Sequence, residues 1–165
     1  MDKYYYLVAQ LPVLFFERES ALTIDNFLDE AHKWLSGSDY RQLERVDFMA
    51  TEIKPDDPQI IKKIKVFELS LRQELVNWRT ARQKSQDYKI MALPANLVRE
   101  GNPLVVEKNL LLWRWQFLEV LEAGHNFDLD FVILYYLRLQ ILKKLFTYNK
   151  KLGREKYQQY LEMGL

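Results

Sequence analysis

Between Phe127 and Leu161 the chain reads FDLDFVILYYLRLQILKKLFTYNKKLGREKYQQYL, and no other stretch limits its folding as much. Its first half is apolar at almost every position from Phe131 to Leu137, which calls for a long helix packed among other helices. Asp128 is placed to be its N-cap, with Phe127 and Val132 as a hydrophobic staple. Lys143, Lys144, Lys150 and Lys151 are expected at its far end, where the helix dipole is negative. A basic turn at Gly153 is then expected to separate it from a shorter amphipathic helix carrying Tyr157, Tyr160 and Leu161. No catalytic constellation lies in the segment, so it points to helical packing and protein contact rather than to chemistry.

The rest of the chain carries similar signals. Ile24, Phe27, Leu28, Ala31, Trp34 and Leu35 recur at three and four, one face of a helix, with Thr23 as its N-cap. Ser38 can cap a second helix to about Val46. Asp57-Pro58 reads as cap plus first residue of a long helix to about Lys84, with a core stripe of Ile60, Ile64, Phe67, Leu71, Leu75 and Trp78. On its outer face Glu68 and Arg72 stand four apart as a surface pair. Pro94 opens about one helical turn. Asn102-Pro103 repeats the cap-plus-proline device before a helix with Leu110, Leu111, Leu112, Trp113, Trp115, Phe117, Leu118 and Leu121, apolar enough all round for the middle of a bundle. Gly37, Gly101, Gly124 and Gly153 fall between these segments. Tyr4–Leu11 fits either a short edge strand or a buried helical turn. The expected fold is all-α, a single-domain bundle over residues 1–165 of about six helices, its N-terminal segment either extended or a helical turn.

A chain of 165 residues is one domain by size. A hydrophobic content of 48%, with 14% aromatic, excludes a disordered chain, because burying that surface offsets the entropy of folding. Charge is nearly balanced but segregated. Residues 17–57 hold five basic and eleven acidic side chains, a net of −6, whereas 138–156 hold seven basic residues and Glu155, a net of +6. This suits charged protein partners. With no cysteine, disulfides, thiolate chemistry and cysteine zinc sites are excluded. The N-terminus lacks the basic lead-in and cleavage pattern of a signal peptide, and no apolar run approaches the ~20 residues that span a bilayer. A soluble, cytoplasmic protein without membrane insertion is expected.

Two spacings imitate active sites. Asp29-Glu30-Ala31-His32 spells the DEAH string of nucleic-acid helicases, but it lies mid-helix and no phosphate-binding GxxxxGK[ST] loop accompanies it. Asp29–His32 and Glu122–His125 are acid-x-x-His steps which, with Glu107 and Glu119, could be assembled into a di-iron bundle site. Gly124 precedes His125 where the helix should end, which favours a capping or surface histidine. No Ser-His-Asp arrangement can be assembled, and no enzyme activity, cofactor or metal is expected. The basic segment mixed with Phe146, Tyr148 and Tyr157 resembles a nucleic-acid grip, but a net charge of +1 argues against one. Tyr4, Tyr5 and Tyr6 fit the chain's own core better than a recognition patch.

Three stretches, MDKYYYLVAQLP, EGNPLVVEKNLLLWRWQFLE and the segment from Phe127 to Leu161, together resemble an uncharacterised bacterial family encoded among the subunits of V/A-type ATPases. In that setting the family stands where the central-stalk coupling subunit is expected, the all-helical funnel that seats the central shaft on the membrane rotor ring. The resemblance implies a non-catalytic coupling or accessory subunit, peripheral at the inner membrane through the complex, with shaft and ring subunits as partners. The chain departs from the funnel subunit in being about half its size, so a complete three-lobed funnel cannot be built from it. Asn102, Pro103, Tyr136 and Leu139, within the resembling stretches, are explained by caps and core. Arg138, Lys143, Lys144, Lys150, Lys151 and Arg154 are the candidate partner-binding residues. The alternative is a cytoplasmic helical adaptor unrelated to the ATPase.

Overall fold

In the computed structural model, which describes residues 2–99 and 101–164, helix starts follow capping chemistry closely. Met1 and Glu100, which open two of the resembling stretches, lie outside the described residues. Six α-helices and one 3₁₀ turn occur among the described residues, with no strand: α1 Asp2–Gln10, α2 Ile24–Trp34, α3 Gly37–Glu44, α4 Gln59–Gln83, the turn Ala95–Leu97, α5 Pro103–Glu122 and α6 Leu129–Met163. The chain is all-α, as its periodicity requires.

Tyr4–Gln10 is helical, not extended. Leu7 is fully buried, and Tyr4, Val8 and Leu11 are partly buried beside it, each three or four residues from the next turn's neighbour as on one helix face. Thr23 caps α2 by accepting from the Asn26 amide at 3.2 Å. Ser36, not Ser38, caps α3, accepting from Asp39 N, so Gly37 is the first residue of the helix and not a spacer before it. Asp57 is also not the cap of α4. Pro58 holds that position without a side-chain bond, and Asp57 instead accepts from Lys54 N at 2.8 Å and Lys65 Nζ at 2.6 Å. Asn102 and Asp128 cap α5 and α6 as expected, accepting from Leu104 N and Phe131 N.

The centre of the bundle belongs to α6, not to α5. From Val132 to Leu142 every α6 side chain except Gln140 is buried. α5 buries only a stripe, Leu110, Leu111, Arg114, Trp115 and Leu118, while Val120 is exposed. Two apolar clusters result. The larger gathers α1, α2, α3 and the start of α4 around α6, with the Phe27 ring stacked between those of Tyr135 and Tyr136 at 5.5 Å. The smaller joins Leu71 and Leu75 of α4 to Leu93, Val98 and Leu110. Gln140 bridges to the segment after α3, donating to Val46 O at 2.7 Å and accepting from Phe48 N at 3.1 Å. A half-buried amide serves here because both of its ends find backbone partners.

Two expectations about α6 fail together. The helix runs unbroken through Gly153 to Met163, so there is no basic turn and no separate final helix. The lysines therefore sit within the helix body, and its last turn carries no basic residue, so the dipole does not account for them. Local propensity favours continuity: of the residues flanking Gly153, most are good helix formers, and a single glycine does not stop such a run.

Candidate functional site

The six basic residues proposed for partner contact divide into two groups. Arg138 is 8% exposed and faces inward, bonded to Glu122 with its guanidinium 5.7 Å from the Trp115 ring centre. It is a structural cation holding α5 to α6 and is removed from the candidate surface. Lys143, Lys150, Lys151 and Arg154 are exposed and Lys144 is half-buried. Among the described residues none of these five pairs with a carboxylate.

These residues lie where α6 leaves the bundle. Leu145 is the last buried side chain, and beyond Lys150 only Leu152 is even partly covered. Tyr157, Tyr160, Leu161 and Met163 are 65%, 73%, 52% and 77% exposed. Where α6 is still covered, a groove of about 380 Å³ runs between it and the segment entering α2, with Leu22, Leu139, Leu142 and Phe146 as its floor and Lys143 and Lys150 on its rim. Lys150, on the rim of the groove, begins the uncovered end of the helix.

A second exposed surface involves Tyr5 and Tyr6, two of the three tyrosines that the sequence favours as core. Tyr4 does join the interior, donating to Asp39 Oδ2 at 2.5 Å, and burial pushes its phenol pKa up. Burial acts on the Asp39 carboxyl in the same direction, but the bonds it accepts from Tyr4, Lys3 and Ser36 prevail and hold it below the usual range. Tyr5 and Tyr6 point the other way, about half exposed. Tyr6 stacks on Trp34 at 5.4 Å and Tyr5 meets Phe127 at 5.2 Å, so Phe127 closes an aromatic patch instead of lying sealed as a staple. The signal was the residue type itself: three consecutive tyrosines on a helix cannot all face one core.

The di-iron arrangement is not assembled. No group of three metal-ligating side chains occurs among the described residues. His32 stacks edge-on against Tyr40 at 4.7 Å, Glu119 accepts from Trp115 Nε1, and Glu122 is occupied by Arg138. His125 Nδ1 lies 2.7 Å from Asp128 Oδ2, so the ring bonds the N-cap residue of α6 and does not cap a helix itself. The DEAH residues lie within α2, with Ala31 in the core.

The most deeply buried acidic side chain among the described residues is one that its spacing from Arg72 places on the helix surface. Glu68 is 1% exposed. It accepts from Arg114 Nε and Nη2, both at 2.8 Å, and from Arg72 Nε at 3.0 Å, while Arg72 also donates to Met49 O at 2.6 Å. Two guanidinium groups on one carboxylate tie α4, α5 and the segment after α3 together, and the fork-on-fork geometry fixes their mutual placement. These are the contacts of a structural tie between helices.

Residues 63–163, more than half of the chain, match the family described as "Protein of unknown function (DUF2764)". No curated protein and no solved structure matches the chain.

Proposed function

The chain belongs to the DUF2764 family, and we propose that it is a non-catalytic coupling or accessory subunit of a bacterial V/A-type ATPase, similar in role to the funnel-shaped coupling subunit of the central stalk. The observation that carries the reading is α6, whose first half is the centre of an all-helical bundle and whose second half leaves it, exposed and basic. Such a helix is built to be held at one end and to touch something at the other. The setting is supplied by the resemblance of the three sequence stretches to proteins encoded with ATPase subunits. Shaft and rotor-ring subunits are the proposed partners, reached without membrane insertion: no helix among the described residues is long and apolar enough to cross a bilayer. Charge makes the contact, since unpaired cations on α6 meet acidic partner surfaces and shape the rate and specificity of docking.

The test is co-purification of the full chain, tagged, from detergent-solubilised membranes at moderate salt. Shaft and ring subunits should elute with it and should be lost as salt rises. Elution without any ATPase subunit rejects the assignment, and elution with an unrelated complex favours an adaptor role.

A further inference from the structure

We infer that the uncovered face of α6, from the groove beside Lys143 to Tyr160, docks an acidic amphipathic helix of another protein laid alongside it. The inference rests on the reading of the chain as an interaction subunit but not on which complex it joins.

The face has the periodicity of a helix–helix seam. Leu139, Phe146, Gly153 and Tyr160 follow at intervals of seven, as do Lys143, Lys150 and Tyr157. Seven residues are just under two turns, so each set stays on one side of the helix with a small drift. Inside the bundle, the segment entering α2 lies against this side, over Leu139, Leu142 and part of Phe146. That cover stops while the seam continues, which leaves Tyr157 and Tyr160 as the largest uncovered side chains along it. In the middle, Gly153 has no heavy atom within 4 Å of where a Cβ would stand, an open notch that lets a neighbouring backbone or large side chain come close.

The rim selects the occupant. Lys143, Lys144, Lys150, Lys151, Arg154 and Lys156 oppose Glu155 alone over residues 143–156, a net of +5. Lys143 and Lys150 stand in the seam and Lys144, Lys151 and Arg154 beside it, the placement by which paired helices choose a partner by charge, so the partner must bring acidic side chains to meet them. A second α6 laid on this one would bring like charges together. A bilayer surface calls for a broad face of large apolar groups, whereas this seam is narrow, notched by glycine and tipped with tyrosine hydroxyls.

The test uses the full chain and two synthetic three-heptad peptides, both with leucine seams, one flanked by glutamate and the other by lysine. Saturable binding of the glutamate peptide is expected, weakening as salt rises, with no binding of the lysine peptide. Y157A/Y160A and K150E/R154E should each weaken it by about tenfold or more, with circular dichroism unchanged. Equal binding of both peptides, no binding of either, or variants that bind like the parent would overturn the inference. So would binding only to phosphatidylserine vesicles or to an oligonucleotide, or a dimer in sedimentation that the same substitutions dissolve. Peptide binding without co-purifying ATPase subunits would leave this inference standing and remove the ATPase assignment; the reverse result would do the opposite.

Discussion

A carboxylate that is 1% exposed and held by two guanidinium groups sets strict terms on substitution at positions 68 and 114. Arg114→Met leaves Glu68 with Arg72 alone, and breaking a buried pair from one side costs about 3–5 kcal/mol. Replacing both, Glu68→Leu with Arg114→Met, should cost less than the sum of the single changes, because no orphaned charge remains; urea titration of the four proteins closes the cycle. Ser85 offers the opposite sign. It closes α4 in the left-handed region at φ 54°, with Gln86 N bonded to Ala81 O at 2.8 Å and Ser85 N to Arg82 O at 3.2 Å. A glycine fits that position without the side-chain penalty, so Ser85→Gly should stabilise the fold by about 1 kcal/mol in the same titration. Neither residue declared itself in the sequence. Glu68 and Arg72 stand four apart, which fits a solvated pair as well as half of a clamp, and the deciding partner lies 46 residues away. Ser85 took a role that glycine usually marks.

The two ends of α6 respond to different variables. At its start, Asp128 accepts from Phe131 N at 2.8 Å with one oxygen and faces His125 Nδ1 at 2.7 Å with the other. That hydrogen bond is the largest influence and raises the His125 pKa above 6.5; burial, the next largest, lowers it, while the charges of Asp128 and Asp130 add to the rise and that of Lys63 opposes it. A raised folded-state pKa gives stability that is complete below the unfolded value and is lost as pH climbs through the folded one. The melting temperature should therefore decline from mildly acidic to mildly alkaline pH, and His125→Gln should flatten that part of the curve. Further along, Gly153→Ala should raise local helix stability by about 0.5–1 kcal/mol. It should appear as slower amide exchange around positions 150–158, with the global urea midpoint unmoved, since this stretch lies past Leu145, the last buried side chain. The starts of α2, α5 and α6 were legible because Thr23, Asn102 and Asp128 are strong caps, whereas those of α3 and α4 were misplaced by one or two residues. The extent of α6 was not. Glycine with flanking lysines reads as a terminus when the only criterion is local, and the amphipathic pattern beyond it looks the same whether the helix stops or continues.

Charge is distributed over the whole molecule so that fold and surface can be separated by mutation. Lys150→Glu, Lys151→Glu and Arg154→Glu together should leave urea stability within about 1 kcal/mol, because exposed unpaired cations away from packing contribute little. Association with an acidic partner should fall sharply, read as loss of binding at low salt. Arg138→Glu is the control: a carboxylate in this buried position, set against Glu122 beside Trp115, should destabilise by about 3–5 kcal/mol. Sequence alone grouped Arg138 with the lysines because composition counts charges without sides. The net +6 of residues 138–156 thus joins one core residue to an exposed cluster. α6 also has a mechanical consequence. At about 1.5 Å per residue, its 35 residues reach about 52 Å, clamped over the first half and free over the second. A helix without a break bends only gently over such a length. Force applied near Tyr160 is therefore not absorbed by a joint; it arrives as leverage on the packing around Ile133 and Leu142, so the cantilever and its anchor move as one piece.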